Sequence, residues 1–236
     1  MKINQKLLVS LIAVTFAASP AYAAGSITGK INFTGTAPEE PAIDMAADPV
    51  CAGQHPEPIK TEEVIVNADN TLKNVFVYVK EGLPAGQTYP APATPVTLDQ
   101  KGCHYSPHVF GVQVGQDIEI VNSDSTLHNV HGMPTQSKEF NLGMPIPGMK
   151  LKRKFEKQEV AVKFKCDVHP WMNAYVGVVD HPFYAVTGDN GTFEIKDLPA
   201  GNYVIEAWHE KYGTQTANVT VAEGAAATAD LSFAAA

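Results

Sequence analysis

The chain has 236 residues, 17 basic and 25 acidic side chains and a formal charge of −8. That acidic balance speaks against a nucleic-acid partner, and no long single-sign run marks a dedicated docking tail. The length suits one large β domain or two smaller ones.

The chain opens with Lys2 and Lys6, an apolar run over residues 7–18, and Ala21-Tyr22-Ala23 before Ala24. This is the pattern of a secretory signal peptide, with cleavage expected after Ala23. The apolar run is too short to span a bilayer, and no second apolar segment of roughly 20 residues follows. The mature chain, about 210 residues long, is therefore expected to be soluble and periplasmic or secreted. Losing Lys2 and Lys6 and no acid takes its charge from −8 to −10.

Short runs of alternating apolar and polar residues predict strands over 27–34, 75–80, 109–114 and 117–122. Further strands are predicted over 160–164, 175–179, 192–195, 203–208, 217–221 and 229–233. No amphipathic helix is evident. Segments 36–58 and 83–95 carry little periodicity and read as surface loops. Turn chemistry such as Asp189-Asn190-Gly191 separates the runs. The prediction is an all-β chain of sandwich type. The clearest boundary falls near Asp180-His181-Pro182, giving a signal peptide over 1–23, a first domain over 24–180 and a second over 181–236.

The tail, from Ala185-Val186-Thr187-Gly188 through Phe193-Glu194-Ile195 to Gly201-Asn202-Tyr203, resembles the carboxypeptidase regulatory-like domain. That resemblance implies a small, non-catalytic, transthyretin-like β-sandwich. Ser26-Ile27-Thr28-Gly29-Lys30-Ile31 is similar to the strand with which that family begins. Strand 26–34 is thus a candidate member of the second domain, with the intervening stretch inserted.

Cys166-Asp167-Val168-His169-Pro170-Trp171-Met172 puts a thiolate, an imidazole and a thioether in one short loop behind a predicted strand. Upstream, strand 117–122 leads through Ser123-Asp124-Ser125-Thr126-Leu127 to His128, a second imidazole. Two imidazoles and a thiolate make a trigonal set, and a weak axial thioether suits the Cu(II)/Cu(I) pair. Structural zinc sites gather more thiolates or histidines.

These residues resemble the cupredoxin family, and the Cys-x2-His-x2-Met spacing with His128-Asn129-Val130-His131 is closest to amicyanin. The resemblance spans roughly residues 110–179. It implies a Greek-key sandwich holding one type 1 copper ion, with His128, Cys166 and His169 as strong ligands and Met172 axial. Asn129 would be an outer partner tying the two ligand loops together. His131, in the same loop as His128, is the competing ligand. Val168 stands where many family loops carry proline, and the long 24–101 portion exceeds the compact carriers of the family.

With Cys166 engaged by metal, Cys51 and Cys103 are expected to form a disulfide in an oxidising compartment. The alternative gathers Cys51 with His55, and Cys103 with His104 or His108, as a second metal cluster. His181, His209 and Glu210 are expected to make ordinary surface or interdomain hydrogen bonds. The apolar loop 143–149 reads either as core or as an apolar rim near His169.

No nucleophile motif or paired-carboxylate arrangement points to an enzyme. The expected function is an exported type 1 copper protein that carries single electrons between redox partners. Its partner would be a redox protein, a cytochrome c or a periplasmic oxidoreductase. A periplasmic copper chaperone or resistance protein, or a non-redox interaction module, is the alternative. The chain has no Cys-x-x-Cys-His sequence and so brings no c-type haem of its own.

Overall fold

A computed structural model describes residues 23–235. All but the last residue of the expected signal peptide lies outside the described residues. Among them, no helix is long and apolar enough to cross a membrane.

In chain order the strands begin with β1 (Gly25–Thr34), β2 (Phe76–Glu81), β3 (Val96–Gln100), β4 (Tyr105–Ser106), β5 (Val109–Gln113) and β6 (Ile118–Asn122). They continue with β7 (His128–Met133), β8 (Phe140–Met144), β9 (Lys150–Arg153), β10 (Glu159–Lys165), β11 (Asn173–Val179) and β12 (Tyr184–Val186). The last are β13 (Thr192–Leu198), β14 (Gly201–His209), β15 (Gly213–Val221), β16 (Ala226–Thr228) and β17 (Leu231–Ala234). One short helix, α1 (Pro49–Ala52), lies between β1 and β2. The chain is all-β, as its alternation predicts.

Strands β3 to β11 build a central sandwich. Its sheets run β5-β11-β10-β7-β8 and β4-β3-β6-β9, with β5 parallel to β11 and β3 parallel to β6. Inward residues such as Leu98, Ile118, Ile120, Val162, Phe164 and Val176 form its core. The remaining strands build a terminal sandwich. One sheet is β13-β1-β16 with β17 also on β1, and the other is β12-β2-β14-β15. Strand β1 runs parallel to β16 in its first half and to β17 in its second. Its alternate residues Ile27, Ile31 and Phe33 face that core beside Val77, Val79, Ile205 and Phe233.

Two sequence expectations need correcting. Domain bounds of 24–180 put residues 76–81 in the first domain, but β2 pairs with β12 and β14 in the terminal sandwich. Its four leading residues, Phe76 to Val79, are all buried. They alternate between the terminal core and the interface of the sandwiches, so both faces need cover. Segment 36–58 is not simply a surface loop. Met45 and Cys51 are buried in the central core, and Ile43 packs against it. The polypeptide there folds over one end of the central sandwich.

The sandwiches meet through Phe76, Tyr78, Val109 and Val179, with Tyr175, Tyr184 and Trp208 around them. Strand β5 is buried at all five positions because each of its faces is covered by a different sandwich. Gly111 and Gly177 are register partners across β5 and β11. A Cβ on Gly111 would lie 2.3 Å from the Tyr184 ring, and one on Gly177 would lie 2.4 Å from Phe76. The paired glycines make the flat patch on which those rings rest.

Candidate metal centre

Strand β7 begins with His128 and strand β10 ends just before Cys166. Both therefore deliver their side chains at the same end of the five-stranded sheet. The loop from Cys166 is closed by its own backbone. Cys166 N donates to Met172 O at 3.0 Å and Met172 N donates to His169 O at 2.9 Å. The His169 N–H donates to Cys166 Sγ at 3.3 Å. Ligand atoms of His128, Cys166 and His169 lie within 4.8 Å of one another, and all three side chains are buried. Met172 is fully buried in the core beside them.

The two imidazoles are oriented by carboxylates at their outer edges. Asp124 Oδ2 is 2.8 Å from His128 Nε2, and Asp48 Oδ2 is 2.9 Å from His169 Nε2. An ionised carboxylate has no proton to give, so each Nε2 carries the hydrogen and donates it. That turns the Nδ1 lone pairs inward, where the two Nδ1 atoms face each other at 2.9 Å with Cys166 Sγ 3.9 Å from that of His169. Two lone pairs at that separation repel unless a cation, either a proton or a metal ion, lies between them. With an adjoining thiolate, the donor set suits a soft to borderline transition metal.

The proton affinities follow from the same contacts. Burial disfavours charge on His128, yet Asp124 and Cys166 hold its pKa up at about 9. Burial opposes ionisation of Cys166, but His128 and the surrounding hydrogen bonds draw its thiol down to about 7. Asp48 is lowered chiefly by its bond to His169. Asp124 is lowered despite burial by His128 and the N–H groups of Cys103 and Gly102.

Asn129 joins the ligand loops. Its Oδ1 accepts from Cys166 Sγ at 3.2 Å and from Asp167 N at 2.8 Å, while its Nδ2 donates to Asn141 and Asp167. His131 lies outside the cluster. Its ring nitrogens face Glu139 at 2.6 Å and Asp167 at 3.2 Å. Three positions separate it from His128, so the alternation of β7 turns it to the other face.

Cys51 and Cys103 form a disulfide. The alternative grouping of these cysteines with neighbouring histidines does not occur. His55 contacts Gly102 O, His104 pairs with Glu62 at 2.5 Å, and His108 pairs with Glu210. The bridge lies against the cluster, with Cys51 Sγ 3.6 Å from His169 Nε2. Loop 143–149 is divided. Met144 is fully buried and takes a hydrogen bond from Gln100, whereas Ile146 is 63% exposed.

Sequence reasoning missed Asp48, Asp124 and Trp171. Asp48 caps α1 by accepting from Val50 N and Cys51 N while it holds His169. Trp171 packs against the His169 ring at 5.1 Å and donates to Cys103 O. Asp124, four residues before His128, had a usable signal in its spacing. Asp48 had none, because its partner lies 121 residues away.

Residues 165–234 match the carboxypeptidase regulatory-like domain family. The match starts inside the central sandwich, at the end of β10, and leaves out β1 and β2. No curated protein matches the chain. Among solved structures, a copper-containing nitrite reductase from Thermus scotoductus SA-01 is 23% identical over 42% of this chain, with a TM-score of 0.33. The chain spans a quarter of the length of that reductase, 25%. A purple cupredoxin from Nitrosopumilus maritimus is 25% identical over 35% of this chain and 98% of its own, with a TM-score of 0.30. A methionine-to-alanine mutant of amicyanin in its Cu(I) form is 19% identical over 43% of this chain and 97% of its own, with a TM-score of 0.32.

Proposed function

We propose that His128, Cys166 and His169 hold one copper ion as a type 1 centre, with Met172 axial, and that the exported protein carries single electrons between redox partners. One observation carries this reading: both Nδ1 atoms and a thiol of lowered pKa converge inside a buried cluster whose outer edges are already hydrogen-bonded. Bound copper supplies a one-electron couple. The chain's own part is to fix the donors. Asp124 and Asp48 set the tautomers, and Asn129 restrains the sulfur. Such restraint leaves little rearrangement between the two oxidation states. No catalytic step is assigned. The partner is taken to be a redox protein, such as a cytochrome c or a periplasmic oxidoreductase.

The visible spectrum of the copper-loaded mature protein tests this. An intense thiolate-to-copper band is expected, and Cys166→Ser should remove it. Met172→Gln should retain copper while lowering the reduction potential. A wild-type copper complex without an intense visible band would end the type 1 assignment.

One observation favours a second reading, that of copper holding and delivery. His169 is only 2% exposed, because Asp48 and the disulfide cover its outer edge. Copper transfer to an acceptor faster than electron exchange with any redox partner would select this reading.

A further inference from the structure

The disulfide lies across the outer edges of both cluster imidazoles. Cys51 Sγ, an oxygen of Asp48 and a ring nitrogen of His169 lie within 4.8 Å of one another. Cys103 Sγ, an oxygen of Asp124 and a ring nitrogen of His128 do the same. Each sulfur of the bridge therefore belongs to its own cysteine, histidine and aspartate set, and the two sets adjoin through the S–S bond. Both cysteines are fully buried. The polypeptide around them is held independently of the bridge: Asp48 caps α1, Asp124 takes the N–H groups of Gly102 and Cys103 at 2.8 and 2.7 Å, and Trp171 holds Cys103 O.

We propose that the chain with Cys51 and Cys103 reduced binds a second soft metal ion, of the Cu(I) class, between these two sulfurs, and that disulfide formation closes this site. Thiolates suit soft ions such as Cu(I), and zinc as well, and the hydrogen bonds of Asp48, Asp124 and Trp171 keep both sulfurs at one spot after the bridge is broken. An external dithiol delivers two electrons and two protons, the S–S bond breaks, and the dithiol becomes its own disulfide. The incoming ion then forms two S–metal bonds as both thiol protons pass to solvent. In the reverse direction an oxidised dithiol takes two electrons from the two thiolates and two protons from solvent, the S–S bond re-forms, both S–metal bonds break and the ion leaves. The newly made chain starts with thiols, so the site exists before oxidation and vanishes with it. The inference rests on the place of the bridge beside the two imidazoles and does not depend on Cys166 being a ligand.

The test is an anaerobic Cu(I) titration of the mature protein against the chelator bathocuproine disulfonate, before and after reduction and removal of the dithiol. Wild type should rise from one Cu(I) per chain when oxidised to two when reduced. Reduced Cys166→Ser should keep one. The double variant Cys51→Ser with Cys103→Ser should stay at one under both conditions. Near-UV circular dichroism reports whether each reduced protein stays folded. The same reduced Cys166→Ser chain in guanidinium chloride should lose its Cu(I) to the chelator, since the fold is what sets the sulfurs together. One Cu(I) in reduced wild type, or equal retention by folded and denatured reduced Cys166→Ser, would overturn the proposal. If oxidised wild type held none while reduced Cys166→Ser held one, the type 1 reading would fall and the dithiol site would stand.

Discussion

The two sandwiches each bury a pair of histidines and treat them in opposite ways. In the central sandwich, His128 and His169 each give Nε2 to a carboxylate. In the terminal sandwich, His181 meets the Val79 carbonyl and the Phe183 N–H, while His209 accepts from Lys211 N and packs against Tyr212 and Phe233. Burial pushes His209 down to about 4 and lowers His181 as well, whereas Asp124 and Cys166 hold His128 at about 9 against the same burial. Desolvation alone makes an imidazole neutral and structural. In His128 and His169 a carboxylate on one nitrogen fixes the ring with its other nitrogen aimed at the cluster, where a lone pair is free to bind.

The hardest way to break this contrast is to remove Asp124. Asp124→Ala strips buried His128 of its partner and leaves the buried Cys103 N–H and the half-buried Gly102 N–H unanswered, at a cost of about 3–5 kcal/mol in copper-free protein. Urea unfolding measures it, and a loss below about 1 kcal/mol would show that the carboxylate does not hold the ring.

Acid should act next, and on the other sandwich. Between pH 6.5 and 4 the unfolded chain takes up the His209 proton while the folded chain does not, so stability falls as pH falls through that window. The full depression corresponds to about 3 kcal/mol, and His209→Gln should flatten this part of the pH profile relative to wild type. His108 titrates the opposite way. Burial lowers its pKa, but Glu210, Glu62 and the Asn173 carbonyl together raise it by more, so the stability this contact adds between the sandwiches is fully present below pH 6.5 and is lost as pH rises through the raised value. Acid therefore loosens the terminal core without opening this contact.

A smaller effect is expected at the interface. Gly111→Ala drives a methyl into the Tyr184 ring and should cost about 1–3 kcal/mol, with earlier proteolysis between the sandwiches. A variant as protease-resistant as wild type would mean that the rings move aside freely. Ile146→Lys, at an exposed position, should change stability by less than about 0.5 kcal/mol. If the partner docks on that side of the loop, stopped-flow electron exchange should slow while the visible spectrum stays the same. Unchanged rates would place docking elsewhere.

Much of the β character was legible because inward residues alternate in strands such as β1 and β6. The cysteine loop was legible because its donors are close in sequence and their order is distinctive. Three features could not be read. The strand over 109–114 was legible as a strand, but not that each of its faces is covered by a different sandwich. The place of β2 depends on pairing with β12 and β14, more than a hundred residues on. Met144 could be read either as core or as part of an exposed rim because of the prolines and glycines around it. It is core because β8 pairs it with His128 and Gln100 gives its sulfur a donor. In each case the deciding partner is remote in sequence, where local pattern carries no information.

The strand order also sets a schedule for synthesis. Strands β1 and β2 leave the ribosome before the central sandwich, yet their partners β12, β13, β14, β16 and β17 come after it. Ile31 must wait for Leu231. The central sandwich, contiguous from Val96 to Val179, is complete in the chain while the terminal strands still lack their neighbours. Its own pairings close shorter loops and form first. Until the last residues arrive, β1 and β2, the segments most in need of protection while the chain is being made, lack their sheet partners and expose apolar faces.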